Sequence, residues 1–143
     1  MRRPTGEDGS VLVLVLGLTS VLLALVAVVV DVSAVVLARR GVASAADGAA
    51  VAAAQGLDLD AFYAGGVEGG VPLSEQEVAR RVAEYADEAA LGQPGLALES
   101  SVEDGVTARV LATRTVSLPL GGRLGRGGVT VRAQARARAP LTP

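Results

Sequence analysis

From Val11 to Val30 the chain carries no charged position. Only Gly17, Thr19 and Ser20 interrupt a run of Val, Leu and Ala. A helix on a globular core would show a polar stripe, and this stretch shows none. At 1.5 Å per residue it rises about 30 Å, the thickness of a bilayer's hydrocarbon layer. The pattern predicts a transmembrane helix over 11–30. Residues 1–10, with Arg2, Arg3, Pro4 and the Gly6–Ser10 segment, form a polar leader, and Ser10 is placed to cap the helix.

Helix formers continue through an Ala-rich stem over 31–56, weakened only at Gly41 and Gly48. Ala34, Ala38, Gly41, Ala45, Ala49 and Ala52 recur at spacings of three and four. They share one face, which predicts close helix packing. The alternative is that Ala is simply abundant and the face needs no partner. A second alternative concerns the apolar run itself. Val32-Ser33-Ala34 offers small residues to a signal peptidase, which would leave a chain starting at Val35. The length of the run and the continuing helix favour a retained anchor. Asp31 marks the end of the hydrocarbon segment, or pairs with an Arg or N-terminus of a neighbouring copy.

Residues 57–143 predict a small α+β domain. Gly56 reads as the C-cap of the stem, and 57–73, with Gly65, Gly66, Gly69, Gly70 and Pro72, as a loop. Ser74 and Glu77 form a capping-box pattern. The helix it opens carries the stripe Val78, Val82, Tyr85 and Ala89 and stops at Gly92 and Pro94. Alternation over 96–103 and 106–112 around Asp104-Gly105 predicts a hairpin. A three-residue loop, Glu103-Asp104-Gly105, keeps the faces unmixed. It pairs Val102 with Val106, Leu98 with Val110 and Glu99 with Arg109, with Gly105 left-handed. Val116–Leu120 extends the second strand. The glycine-rich stretch 121–128, carrying Arg123 and Arg126, reads as a flexible connector; no helix is expected there, and the phosphate-loop pattern fails. The last strand alternates most cleanly. Val129, Val131, Ala133, Ala135, Ala137 and Ala139 face one way, and Thr130, Arg132, Gln134, Arg136 and Arg138 the other. Its Arg row suits an acidic partner, lipid headgroups, or a solvated face that protects a sheet edge.

Composition narrows the chemistry. The 143 residues include no Cys and no His, which removes thiolate nucleophiles, disulfides, Cys/His zinc sites and His general bases. No base, nucleophile and metal set converges, so no catalytic residues and no cofactor are expected. Phe62, Tyr63 and Tyr85 are the only aromatics, and all thirteen basic residues are Arg. The net charge of −2 speaks against nucleic acid as a partner. Residues 57–92 are strongly acidic and 93–143 basic, a polarity that could draw the two together within or between copies.

Gly9-Ser10-Val11 ahead of the apolar run, Asp31-Val32 at its end, then Arg39-Arg40, Ala45-Ala46-Asp47 and Ala49-Ala50 carry a resemblance. Over about residues 6–55 the chain resembles the TadE/TadG-like proteins of Flp (Tad) pilus assembly. Val116-Ser117-Leu118-Pro119-Leu120 and Val129-Thr130-Val131 are similar to the tails of such proteins, less specifically. The resemblance implies a minor pilin-like or accessory membrane protein, with pilus or secretion-system membrane proteins and lipid as partners and a homo-oligomer as an option. It also implies a cytoplasmic N-terminus and an extracytoplasmic domain. The flanking Arg pairs, Arg2-Arg3 and Arg39-Arg40, leave orientation tied. Asp31, Arg40 and Asp47 are the family-like polar positions. The fifth residue counted from Ser10 is Leu14 rather than the Glu of prepilin processing, so the likeness stops short of that cleavage. The Arg-only, Ala-rich composition suits a high-GC bacterium such as an actinobacterium. A membrane-tethered ligand-binding or sensor domain is the alternative function, and a secreted enzyme or enzyme accessory a further one.

Overall fold

The computed structural model describes residues 8–65, 70–125 and 127–139. The leader before Asp8, the loop residues Gly66 and Gly69, and Arg126 lie outside them. The architecture is α+β. One helix, α1, runs unbroken from Asp8 to Ala53. It is followed by α2 (Leu59–Gly65), α3 (Glu75–Ala90), β1 (Leu96–Glu103), β2 (Thr107–Val116) and β3 (Val129–Arg138). The strands form one antiparallel sheet in the order β1-β2-β3. The C-terminal half of α1 lies across β2 and β3, while α3 packs on β1 and α1. All of the helical cover is therefore on one sheet face.

The core between these layers is made of small side chains. Near the top of α1, Ala49, Ala50 and Ala53 meet Val78, Val82, Ala108 and Val110. Lower down, Val42 and Ala46 meet Ala112 and Val131. With Ala at most of its buried positions and Val42 the largest, the helix backbone approaches the sheet closely, and dispersion contacts replace the area that larger residues would bury. The two glycines that weaken the stem are points of approach. A Cβ at Gly48 would fall on the Tyr85 phenol, and the Gln93 amide donates to the Gly41 carbonyl at 3.3 Å.

Several local expectations need correction. The segment after Gly56 is not all loop. Asp58 caps α2 by accepting the Ala61 N–H at 2.9 Å, so the pattern Asp-x-x-Ala outweighs the glycines that follow it. Gly56 does not act as a left-handed cap, since its φ is not positive. It makes room, because a Cβ there would lie 2.6 Å from the Val78 backbone nitrogen. The capping box at Ser74 is not formed. Glu77 turns forward instead and pairs with Arg80 at 2.6 Å.

The hairpin register is two residues from the one expected. Val102 pairs with Ala108, Leu98 with Ala112 and Glu99 with Leu111. Both Asp104 and Gly105 have positive φ, and the Val106 N–H closes the turn onto Glu103. Val106 is thus the additional residue, and the loop centre moves to Gly105. A shift of two preserves the faces, so every inward residue stays inward. Arg109 now stands opposite Ser101, and its side chain reaches diagonally to Glu103 at 3.0 Å. The second strand ends at Val116 rather than running on to Leu120. The glycine-rich stretch holds a short 3-10 turn over Gly121–Leu124, against the expectation of no helix there.

Candidate functional site

From Val11 to Val26 every residue of α1 is exposed. Its most apolar stretch has no residue covered by the rest of the molecule. Leu12, Leu14, Leu16, Leu18, Leu22 and Leu23 all stand exposed. The hydroxyls of Ser20 and, just past Asp31, Ser33 each donate to the carbonyl four residues earlier, at 2.8 Å. Back-bonding of this kind suits a hydrocarbon surrounding, where a free hydroxyl is costly.

Asp31 marks the place where the folded domain comes down to meet this surface. Its Oδ1 accepts the Leu120 N–H at 2.9 Å, and its Oδ2 accepts the Gly121 N–H at 2.7 Å. The carboxylate thus holds the start of the 3-10 turn, where a negative charge is favoured by free N–H groups. Within the chain its partners are backbone N–H groups, not an Arg. Beside this clamp Leu118 and the α1 residues Val28, Val32, Val35 and Val36 line a groove of about 320 Å³. Sequence reasoning singled out Asp31 but not its partner. The signal was present in Leu118-Pro119-Leu120, an apolar triplet inside an otherwise glycine-rich stretch.

Along the stem, Ala45 and Ala49 lie buried under the chain's own sheet and α3. Ala34, Ala38, Gly41 and Ala52 form the half-buried margin of that face. Arg40 and Asp47 are exposed on the opposite side, and the structure does not bring them to Asp31.

Compared with known families, residues 9–56 match the family model described as putative Flp pilus-assembly TadE/G-like. The helical N-terminal region is thus similar to that family over about a third of the chain. Comparisons with curated proteins and with solved structures gave no match. The TadE/G-like region coincides with α1 and the turn that ends at Gly56. It contains Asp31, Arg40, Asp47 and the whole small-residue face. The sheet, α3 and the turn that Asp31 holds all lie after it.

The domain beyond the TadE/G-like region has two charged surfaces. On α3, Arg80 bridges Glu77 and Glu84 at 2.6 and 2.8 Å. The Arg80 hydrogen bond is the main reason that the Glu77 carboxyl is held below its ordinary pKa. On the open face of the sheet, Glu103 pairs with Arg109 and Arg136, both at 3.0 Å. The ion pairs among the described residues therefore stay within each region and do not join the acidic part to the basic one. An open groove of about 550 Å³ is lined by Gln55, Asp58, Asp60, Ser74, Glu77 and Arg81. No group of metal-ligating side chains converges among the described residues.

Proposed function

We propose that this chain is a structural, non-enzymatic component of a Flp pilus or related secretion assembly. It is held in the membrane by a single pass over 11–30. The observation that carries this reading is a coincidence of range. The residues that match the pilus-assembly family are those of a helix whose N-terminal half exposes an uncharged, mostly apolar surface from Val11 to Val30. The leader lies in the cytoplasm, 31–56 forms the stem, and 57–143 is an extracytoplasmic domain. This polarity rests on the family likeness, since charge does not decide it.

Packing against other pilin-like helices, or a second copy of the chain, uses the exposed N-terminal half. The stem face centred on Ala45 and Ala49 is occupied by the chain's own sheet, which leaves only the margin at Ala34 and Ala38 for a neighbour. Capture of the detergent-solubilised, cross-linked protein, followed by mass spectrometry, tests this. Pilus or secretion-system membrane proteins are expected among the cross-linked partners. Recovery of the intact chain as a monomer in the aqueous fraction, without detergent, would overturn both the anchor and the assembly role.

A further inference from the structure

The turn at Leu118–Leu120 sits beside a helix surface that remains apolar well past Asp31. Val32 is 57% exposed, Val36 46% and Leu37 67%. Charge returns only at Arg39 and Arg40. From Asp31 to Leu37 the helix rises about 9 Å, so the clamp lies inside the apolar band and not at its edge. A free carboxylate at that depth would be costly. Here both oxygens are occupied by the Leu120 and Gly121 N–H groups.

The turn itself is uncharged from Val116 to Gly122, with Pro119 and Leu120 exposed and Leu118 facing the groove on α1. That groove is continuous with the bare surface below it through Val28. Arg39 and Arg40, exposed about two turns above, are long enough to reach a phosphate layer.

We propose that this turn is a second lipid contact. It enters the interfacial layer of the leaflet on the domain side, and a phospholipid acyl chain fills the groove between Leu118 and α1. The proposal rests on the reading of 11–30 as a membrane-spanning helix. Asp31 is then a positioning residue that holds the turn at that depth. The domain would stand on the bilayer at two places, α1 and the turn, instead of swaying above it on one helix.

The chain has no Trp, so a single introduced one reports on its own surroundings. The experiment places Leu120→Trp, Leu23→Trp and Tyr63→Trp separately in the full chain. Each variant is reconstituted in phosphatidylcholine–phosphatidylglycerol vesicles whose acyl chains carry bromine at shallow or deep positions. Tyr63 lies in α2 at the far end of the domain and is 82% exposed. Expected are loss of Leu23→Trp emission to deep bromines, blue-shifted Leu120→Trp emission lost to shallow bromines, and Tyr63→Trp emission lost to neither. Leu120→Trp behaving like Tyr63→Trp while Leu23→Trp is quenched would overturn the lipid contact and leave the spanning helix intact. Unquenched emission from Leu23→Trp would remove the spanning helix and the lipid contact together.

Discussion

The two halves of α1 belong to one continuous helix, yet they have opposite surroundings. The N-terminal half is dense in Leu and stands exposed from Val11 to Val26. The C-terminal half is dense in Ala and is covered by the sheet. Its only Leu after Asp31, Leu37, points away from the sheet and is exposed. Hydrophobicity alone does not tell a lipid-facing surface from a protein-facing one, but side-chain size does. Bulk suits a fluid neighbour that adapts its shape. Small residues suit a fixed neighbour that must come close.

Matched substitutions break or sharpen that contrast. The largest difference is expected between Ala46→Leu and Ala24→Leu. Ala46 is 1% exposed against Ala112 and Val131, and added bulk there should destabilise the domain by about 1–3 kcal/mol or more. Ala24 is open, and its variant should unfold with the wild type in a urea titration of the detergent-solubilised chain. Equal midpoints for the two variants would mean that the stem does not pack on the sheet.

Glycine gives a second matched pair. Gly56→Ala drives a Cβ into the Val78 backbone and should also cost about 1–3 kcal/mol. Gly17→Ala meets nothing within 4 Å and should gain helix propensity, up to about 1 kcal/mol. Thermal melts of the two variants should therefore move in opposite directions.

At the junction of the halves, Asp31→Ala removes two charge-assisted bonds and should cost about 1–3 kcal/mol. The amides of Leu120 and Gly121 should then exchange with deuterium faster, while those of Val110 and Ala112 do not. Protection unchanged at Leu120 and Gly121 would show that the turn is held by other contacts.

The smallest effect belongs to Glu77, on the surface of α3. Its folded pKa is lowered by the Arg80 hydrogen bond, so it contributes stability above the unfolded pKa and loses it as pH falls through the lowered folded value. Glu77→Gln should lower the urea midpoint slightly near neutral pH, and the gap to the wild type should close in acid. The side chain is about half exposed, so solvent screens much of the interaction.

Much of this was legible in the chain because the signals are local and periodic. The Val11–Val30 run, the α3 stripe at Val78 and Val82, and the alternation of β3 each need no distant partner to be read. The hairpin faces followed from alternation, but the register did not. It depends on Leu73, whose N–H donates to the Gly105 carbonyl at 2.8 Å, and on Val106 lying against Gly70. The capping box failed for a similar reason: Arg80, one turn on, offered Glu77 a charged partner. The role of Asp31 was hidden by distance along the chain, since its partners lie ninety residues later at Leu120 and Gly121. The small-residue face was visible, but whether it meets a foreign helix or the chain's own sheet is a tertiary fact.

The continuity of α1 from Asp8 to Ala53 has a mechanical consequence. The helix has no proline, and the domain is fastened to it over the full height of the sheet. With 11–30 in a bilayer, as proposed, it would act as a lever with its fulcrum near Asp31. A few degrees of lean imposed by a crowded neighbour inside the bilayer would sweep the Asp104-Gly105 tip sideways. Crowding around the buried shaft would in that way be announced at the opposite end of the molecule.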